Sequence, residues 1–285
     1  MLFNEKALTK VRVFLFACIV GGLSGCATYL LDPADLINSI ALENGWREIR
    51  FSNDNFMIAG FHRPLSNRVS SATIYIEGDG FPWKNRTQPS DDPTPLDPIA
   101  LKLAIRDTSA NTLYLARPCQ LTRGDERRGC DHRFWTNARF HEDVVDAMNQ
   151  AISAFANKLK LTELSLVGYS GGGAVAALIA ARRMDVSKLI TVAGTLDHKV
   201  WTEHHQVSPL HNSLNPKDFA QSMRQIEQFH IVGTEDKIMP ERIAKSFVSG
   251  LGNGGRAHII SVPGADHACC WVEKWPELLA LTAQP

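Results

Sequence analysis

The sequence predicts an α/β fold: one mostly parallel central sheet with helices on both faces and a small cap. Short β-rich segments alternate with segments whose apolar residues recur at helical spacing along most of the chain. Strands and helices in that alternation form parallel sheets that are covered on both sides. The 285 residues, 44% of them hydrophobic and 21% charged, fit a globular protein, and no repeat or linker divides them. We therefore expect one domain over residues 26–285, with the cap at about residues 197–218.

The first 25 residues have the features of a secretory signal. Lys6, Lys10 and Arg12 precede a short apolar run, and small residues follow it. The run is shorter than the roughly 20 apolar residues that a membrane-spanning helix needs. A plain cleaved signal or an apolar anchor would explain these features.

Residues 23–26, Leu-Ser-Gly-Cys, resemble the lipobox of bacterial lipoproteins. The resemblance implies that residues 1–25 are a lipoprotein signal peptide and that Cys26 becomes the first residue of the mature chain. It also implies that acyl chains such as palmitate on Cys26 anchor the protein in the cell envelope. Ala27 after the cysteine then points to the outer membrane, with the protein facing the periplasm.

The folded part begins with a predicted hairpin. Residues 46–52 and 56–62 are β-rich, and residues 53–55, Asn-Asp-Asn, are a turn signal between them. Residues 73–77 form a short buried strand, and the Pro- and Asp-rich residues 82–98 predict a long loop that shapes a site. The later strands are expected at residues 112–116, 164–167, 188–193, 228–232 and 258–262. The helices are expected at residues 99–105, 140–159, 172–183, 240–249 and 271–281.

The most informative motif lies where the strand at 164–167 meets the helix at 172–183. Residues 168–172 read Gly-Tyr-Ser-Gly-Gly, a Gly-x-Ser-x-Gly nucleophile elbow in a strand-turn-helix setting. The serine of such a turn has little room, so the residues two positions away on either side must be small. The helix directs free N–H groups toward charge that develops near Ser170. The motif predicts that Ser170 is a nucleophile.

At this motif the chain resembles the α/β-hydrolase superfamily, and the resemblance covers nearly all of the chain after the signal. In that family an acid and a histidine follow the serine in this order. Residues 233–240 match the family's acid turn and residues 263–267 its histidine loop, so the resemblance implies Asp236 as the acid and His267 as the general base. Asp197 is the alternative acid, and Asp266 a weaker one. A helix N-cap is the alternative role for Asp236.

The resemblance also implies an oxyanion hole with two N–H donors. One is Gly171, the residue after the nucleophile. The other is expected in residues 77–80, Glu-Gly-Asp-Gly, from Asp79 or, second, Gly80. The family usually has histidine where this chain has Glu77, and an acid beside an oxyanion must be paired or turned away. Arg117 and Arg139 are the candidates to pair with Glu77.

The cysteines and histidines complete the candidate residues. Cys119 and Cys130 bracket a short polar loop and are the candidate disulfide in an oxidising compartment. For the adjacent Cys269 and Cys270 we expect free thiols or a bridge elsewhere. No metal is expected, because the sequence has no Cys-x-x-Cys pair and the cap histidines lack ligand spacing.

The sequence therefore predicts an envelope-tethered serine hydrolase that cleaves a small carboxylic ester or thioester without a cofactor. A peptidase or acyltransferase would use the same acyl-enzyme step. A noncatalytic binding protein on the same scaffold is the third possibility. Nucleic acid is not an expected partner, because 30 Lys+Arg residues balance 30 Asp+Glu residues and leave no basic excess for phosphates. The pattern does not indicate an oligomeric state.

Overall fold

The computed structural model describes residues 32–283, and its centre is an eight-stranded sheet. The strands lie in the order β1-β2-β4-β3-β5-β6-β7-β8. Strand β2 runs antiparallel to its neighbours β1 and β4, and all other neighbours are parallel. The expected α/β class is confirmed. The strands are β1 (Arg47–Ser52), β2 (Met57–His62), β3 (Ser71–Ile76), β4 (Thr112–Leu115), β5 (Glu163–Tyr169), β6 (Val186–Val192), β7 (Glu227–Gly233) and β8 (Ala257–Val262).

Seven α-helices accompany the sheet in the described part of the chain. They are α1 (Pro33–Glu43), α2 (Ile99–Arg106), α3 (Glu142–Leu159), α4 (Gly171–Ala180), α5 (His198–His205), α6 (Arg242–Ser249) and α7 (Trp271–Leu281). Helix α2 packs on α7 and on β3, β4 and β5, whereas α4 packs on α3 and on β3, β5 and β6. Three 3-10 helices, Gly124–Arg127, His132–Trp135 and Pro216–Met223, lie in the connections.

Helix α4 lies directly behind the nucleophile elbow, and all ten of its residues are buried. Its sequence, Gly-Gly-Gly-Ala-Val-Ala-Ala-Leu-Ile-Ala, consists mostly of small residues, which lets its backbone approach the sheet closely. A helix without a polar face must be covered on all sides. This packing fixes the direction in which the N-terminus of α4 points.

Most element boundaries differ from the sequence prediction by one or two residues, with local causes. Helix α3 begins at Glu142 rather than at residue 140, because the ring of His141 accepts a hydrogen bond from the Asp143 N–H and caps it. Helix α1, capped by Asp32, was not predicted. The cap region contains α5 and the 3-10 helix Pro216–Met223, and Asp197 is the N-cap of α5.

Some predictions cannot be compared with the structure. Cys26 and the signal at residues 1–25 lie outside the described residues. Within residues 32–283, no helix is both long enough and apolar enough to cross a bilayer.

Candidate active site

Ser170 occupies a sharp turn between β5 and α4. Its backbone has φ 50° and ψ −119°, in a region that non-glycine residues rarely adopt. A Cβ on Gly168 would lie 2.3 Å from the carbonyl oxygen of Gly172, and a Cβ on Gly172 would lie 2.2 Å from the carbonyl oxygen of Ile76. Both positions therefore need glycine, as the motif predicts. The turn holds the Ser170 hydroxyl at the carboxyl end of the parallel strands.

The structure brings Ser170, His267 and Asp236 together from the ends of three strands. Ser170 follows β5, Asp236 follows β7 and His267 follows β8. The Ser170 Oγ lies 3.1 Å from His267 Nε2, and His267 Nδ1 lies 2.9 Å from Asp236 Oδ2. Both distances are hydrogen-bond distances, so a proton can pass along the hydroxyl–imidazole contact while the carboxylate holds the ring.

The two oxygens of Asp236 have separate tasks. Oδ2 faces His267, while Oδ1 accepts hydrogen bonds from the N–H groups of Ile238 and Met239, each at 2.8 Å. Burial raises the pKa of Asp236, but the hydrogen bonds and the charge of His267 outweigh burial, so the pKa is below its ordinary value. Asp236 therefore holds the His267 ring and also caps its own turn, but it is not the helix N-cap considered from the sequence, because Glu241 is the N-cap of α6.

The backbone of His267 is fixed from two sides. Its carbonyl oxygen accepts hydrogen bonds from the Tyr169 hydroxyl at 2.9 Å and from Trp271 Nε1 at 2.8 Å. The alternative acids are occupied elsewhere. Asp266 accepts the N–H groups of Ala268 and Cys269. Asp197 caps α5 and contacts Asn215, Ser246 and Lys217.

The loop after β3 lies beside the elbow, where an oxyanion donor is expected. A Cβ on Gly171 would lie 2.0 Å from Asp79 Oδ1, so the Asp79 carboxylate touches the first residue of α4. The backbone N–H groups of Asp79 and Gly80 donate to no other group in residues 32–283. Gly80 has φ +71°, and a Cβ there would lie 2.0 Å from the Pro93 carbonyl oxygen. This position needs glycine for both conformation and space.

The Asp79 carboxylate is held between two buried arginines, the same two that were candidates to pair with Glu77. Arg117 Nη1 pairs with Asp79 Oδ1, and Arg139 Nη1 lies 2.6 Å from Asp79 Oδ2. Burial raises the pKa of Asp79, but the charges of Arg139 and Arg117 lower it by more than burial raises it. The pKa of Asp79 is therefore below its ordinary value. The expectation that an arginine pairs with Glu77 is wrong, because both guanidinium groups reach the carboxylate two residues later.

Glu77 is buried, and no cation of residues 32–283 pairs with it. Its Oε1 accepts the N–H groups of Gly78 at 2.9 Å and Ala100 at 3.3 Å, and its Oε2 accepts the Tyr114 hydroxyl at 3.2 Å. Burial raises the pKa of Glu77 to about 7, although these hydrogen bonds act in the opposite direction. Glu77 therefore faces the back of the loop rather than the reacting centre.

A disulfide supports the segment that carries Arg117. Cys119 and Cys130 are bonded, as the sequence suggested. Gln120, the residue after Cys119, is buried. Its side chain accepts a hydrogen bond from the Arg117 N–H and donates one to the Gly78 carbonyl oxygen at 3.0 Å. The disulfide thus ties down the chain behind the loop that carries Asp79.

Cys269 and Cys270 form a vicinal disulfide, so the expectation of free thiols or a bridge elsewhere is wrong. The other two cysteines of the described chain are bonded to each other and leave no alternative partner. The pair lies two residues after His267, immediately before α7.

One cavity adjoins the triad, and a second lies next to Arg139. One of about 770 Å³ is lined by Asp236, His267 and their neighbours. The other, of about 890 Å³, lies between the loop at residues 82–98 and the cap. Trp201 of the cap donates its Nε1–H to the Ile238 carbonyl oxygen at 3.1 Å, which joins the cap to the acid turn. In residues 32–283, no three or more His, Cys, Asp or Glu side chains are grouped in a way that would hold a metal ion.

The sequence matches no family model and no curated protein. Solved structures do resemble this chain. An esterase of Pyrococcus furiosus superposes with a TM-score of 0.60 at 11% identity, over 86% of this chain and 93% of the esterase. The chain has the α/β-hydrolase fold.

Two other α/β-hydrolase structures superpose over similar lengths. A bacterial membrane phospholipase A gives a TM-score of 0.51 at 16% identity, over 87% of this chain and 90% of the phospholipase. An acylaminoacyl peptidase of Pyrococcus horikoshii gives 0.57 at 12% identity, over 83% of this chain but only 41% of the peptidase. At these identities the likeness establishes the fold.

Proposed function

We propose that the protein is a serine hydrolase that cleaves a carboxylic ester or thioester through an acyl-enzyme. The observation that carries the proposal is the continuous contact from Ser170 Oγ to His267 Nε2 at 3.1 Å, and from His267 Nδ1 to Asp236 Oδ2 at 2.9 Å. Nucleophile, base and orienting acid stand in hydrogen-bond reach in the order that nucleophilic catalysis needs.

The first half of the reaction forms the acyl-enzyme. Ser170 Oγ attacks the carbonyl carbon of the substrate while His267 Nε2 takes the hydroxyl proton. Asp236, whose carboxylate is ionised, stabilises the resulting imidazolium. The negative charge on the former carbonyl oxygen faces the N–H groups of Gly171 and of Asp79 or Gly80. His267 then donates its proton to the leaving alcohol or thiol.

The second half hydrolyses the acyl-enzyme. A water molecule gives its proton to His267 Nε2 and attacks the acyl carbon, and the imidazolium returns the proton to Ser170 Oγ as the acid leaves. No step requires a cofactor. A peptidase or acyltransferase would share the first half and differ in the leaving group or in the nucleophile that takes the acyl group.

The test is a comparison of leaving groups on one acyl chain. We expect the purified protein to cleave p-nitrophenyl butanoate and the corresponding thioester, and to leave the butanoyl anilide nearly intact. Ser170→Ala is expected to lose the activity by 10³-fold or more. A faster anilide reaction would favour a peptidase. Equal rates for the natural chain and for Ser170→Ala would refute Ser170 as the nucleophile.

We further propose that the enzyme is lipid-anchored through Cys26 on the periplasmic side of the outer membrane. The support is the basic flank, the apolar run and the lipobox before Cys26. More than one acyl chain is needed for stable anchoring. We expect metabolic labelling with palmitate and recovery in outer-membrane vesicles for the natural chain, and neither for Cys26→Ser. Labelling of Cys26→Ser would contradict the assignment.

A further inference from the structure

The cavity between the loop at residues 82–98 and the cap combines an apolar lining with an excess of positive charge. Its apolar members are Trp83, Trp201, Val207, Pro209 and Leu210. Its charged members are three arginines, and no aspartate or glutamate lines it. The whole chain is neutral, with 30 basic and 30 acidic residues, so this local excess does not follow from composition.

Two of the arginines are free to meet a ligand. Arg86 and Arg133 are exposed, and neither has a carboxylate within salt-bridge distance in the described part of the chain. Arg133 lies over the Phe134 ring, with its guanidinium carbon 4.5 Å from the ring centroid. Guanidinium groups bind carboxylates and phosphates through paired N–H donors. The third, Arg139, is already paired with Asp79.

The cavity connects with the reacting centre at two points. Arg139 lines it and holds the Asp79 carboxylate, which touches Gly171. Trp201 also lines it and donates a hydrogen bond to Ile238, two residues from Asp236. A molecule in this cavity therefore contacts Arg139 and Trp201, and these two side chains in turn contact Asp79 and the turn that carries the acid.

The cavity that His267 lines has the opposite charge. Its lining includes Glu235, Asp236 and Asp266 against the single cation Lys237. We call the cavity lined by Arg86, Arg133 and Arg139 the arginine cavity. An anionic group is attracted to it and repelled from the acidic cavity, because a cleft lined by one sign of charge attracts ligands of the opposite sign. The difference gives a charged substrate one preferred orientation.

We propose that the arginine cavity selects esters that carry an anionic group next to an apolar part. The anion lies against Arg86 and Arg133, and the apolar part lies between Trp83 and Trp201. This inference rests on the proposed serine hydrolase activity and names its substrate class. A carboxylate and a phosphate share the chemistry, and the anion belongs either to the acyl group or to the leaving alcohol.

The test measures kcat/KM for matched esters, each corrected for its reactivity toward hydroxide. Mono-p-nitrophenyl glutarate and suberate carry the anion on the acyl side, and 3-carboxyphenyl pentanoate carries it on the alcohol side. p-Nitrophenyl pentanoate and phenyl pentanoate are the neutral counterparts. The protein is expected to prefer one anionic series by about tenfold, equivalent to about 1.4 kcal/mol. The preference is expected to shrink at high salt.

Three variants decide where a preference arises. Arg86→Gln and Arg133→Gln are each expected to reduce the tenfold preference, and the double variant is expected to remove it by lowering kcat/KM for the preferred anionic series. Arg68→Gln is the matched control, because Arg68 is exposed. It precedes β3 and so lies near the amino-terminal ends of the parallel strands, whereas the site lies at their carboxyl ends. The control is expected to keep the preference. No preference in the natural chain, or a preference that survives the double variant, would overturn the inference while leaving the hydrolase activity established.

A binding measurement separates the two proposals if no ester is cleaved. Calorimetric titration of Ser170→Ala with 3-carboxyphenyl pentanoate and mono-p-nitrophenyl suberate is expected to give tighter binding than their neutral counterparts, and to lose the difference with Arg86→Gln/Arg133→Gln. Selective binding without hydrolysis would refute the enzyme and keep the anion site. Equal binding of charged and neutral esters would refute the anion site.

Discussion

The triad side of the site and the loop at residues 77–80 opposite it are held in place by different forces. On the triad side, hydrogen bonds and turns at the ends of β5, β7 and β8 set the positions of Ser170, Asp236 and His267. On the loop side, a buried carboxylate lies between two arginines from distant parts of the chain. The triad side is therefore held by a few local hydrogen bonds, whereas the loop side is held by a buried cluster of three charged side chains.

This difference predicts that the two sides respond differently to substitution. A side chain of the triad makes contacts that matter mainly in the reaction, so its loss reduces rate more than stability. A buried ion pair costs desolvation free energy to form, and removing one member leaves the other charged and unpaired. We therefore expect the triad side to fail in catalysis and the loop side to fail in stability.

The largest expected effect is on the triad side. Asp236→Asn is expected to lower kcat by roughly 10⁴, because the amide no longer stabilises the imidazolium and favours the wrong tautomer. The melting temperature is expected to change little, since the amide oxygen can still accept the Ile238 and Met239 N–H groups. Asp266→Asn is the control, because the Asp266 carboxylate accepts the N–H groups of Ala268 and Cys269 and not that of the His267 ring, and its activity is expected to stay within twofold. If Asp236→Asn loses little kcat, another residue must be the acid of the triad.

The loop side is expected to show the largest loss of stability. Arg117→Met is expected to reduce the free energy of unfolding by about 3 to 5 kcal/mol, because Asp79 loses one of its two buried cations. Urea unfolding measures the loss, and Arg128→Met at an exposed position is the control. If the variant is too unstable to purify, Asp79→Asn/Arg117→Met is expected to recover part of the stability. A double variant less stable than Arg117→Met would contradict the pairing.

The disulfide behind the loop is expected to contribute somewhat less. Cys119→Ser is expected to lower stability by about 3 kcal/mol under oxidising conditions, because it opens a short loop in the unfolded chain. That corresponds to a melting temperature roughly 6 to 12 °C lower. Cys119→Ser/Cys130→Ser is expected to match the single variant. An unchanged melting temperature would remove the Cys119–Cys130 bridge from this account.

The smallest expected effect depends on pH and involves Glu77. Its pKa in the folded chain is about 7, above the ordinary value of 4.5. Between these values the folded chain keeps a proton that the unfolded chain releases, so stability falls as pH rises from 4.5 to 7 and then levels off. Glu77→Gln removes this dependence and is expected to gain at most about 3 kcal/mol relative to the natural chain at pH 8, and little at pH 4. Urea unfolding at pH 8 and at pH 4 measures the gain in the free energy of unfolding, with Glu43→Gln at an exposed position as the control. A pH-independent difference would contradict the raised pKa.

The sequence was most informative where function depends on local geometry. The strand-turn-helix around Ser170 predicted the elbow, and its glycines are the residues that the turn needs. The alternation of strands and helices predicted the sheet. The partners of Asp79 could not be predicted in this way, because Arg117 and Arg139 lie 38 and 60 residues away along the chain. Only packing of the connections after β4 and before α3 brings them to the same carboxylate.

The prediction also failed at Cys269 and Cys270, where rarity argued against the bond that the structure contains. The charge of the arginine cavity was likewise invisible in the sequence, since Arg86, Arg133 and Arg139 come from two loops in a neutral chain. Both cases depend on which side chains the fold brings together.

The central claim is that Ser170 is an activated nucleophile, and covalent labelling with a fluorophosphonate probe tests it most directly. We expect the folded protein to be labelled on Ser170, located by peptide mass spectrometry, and Ser170→Ala and the urea-unfolded protein to remain unlabelled. An unlabelled but well-folded protein, or a label that persists in Ser170→Ala, would show that Ser170 is not an activated nucleophile.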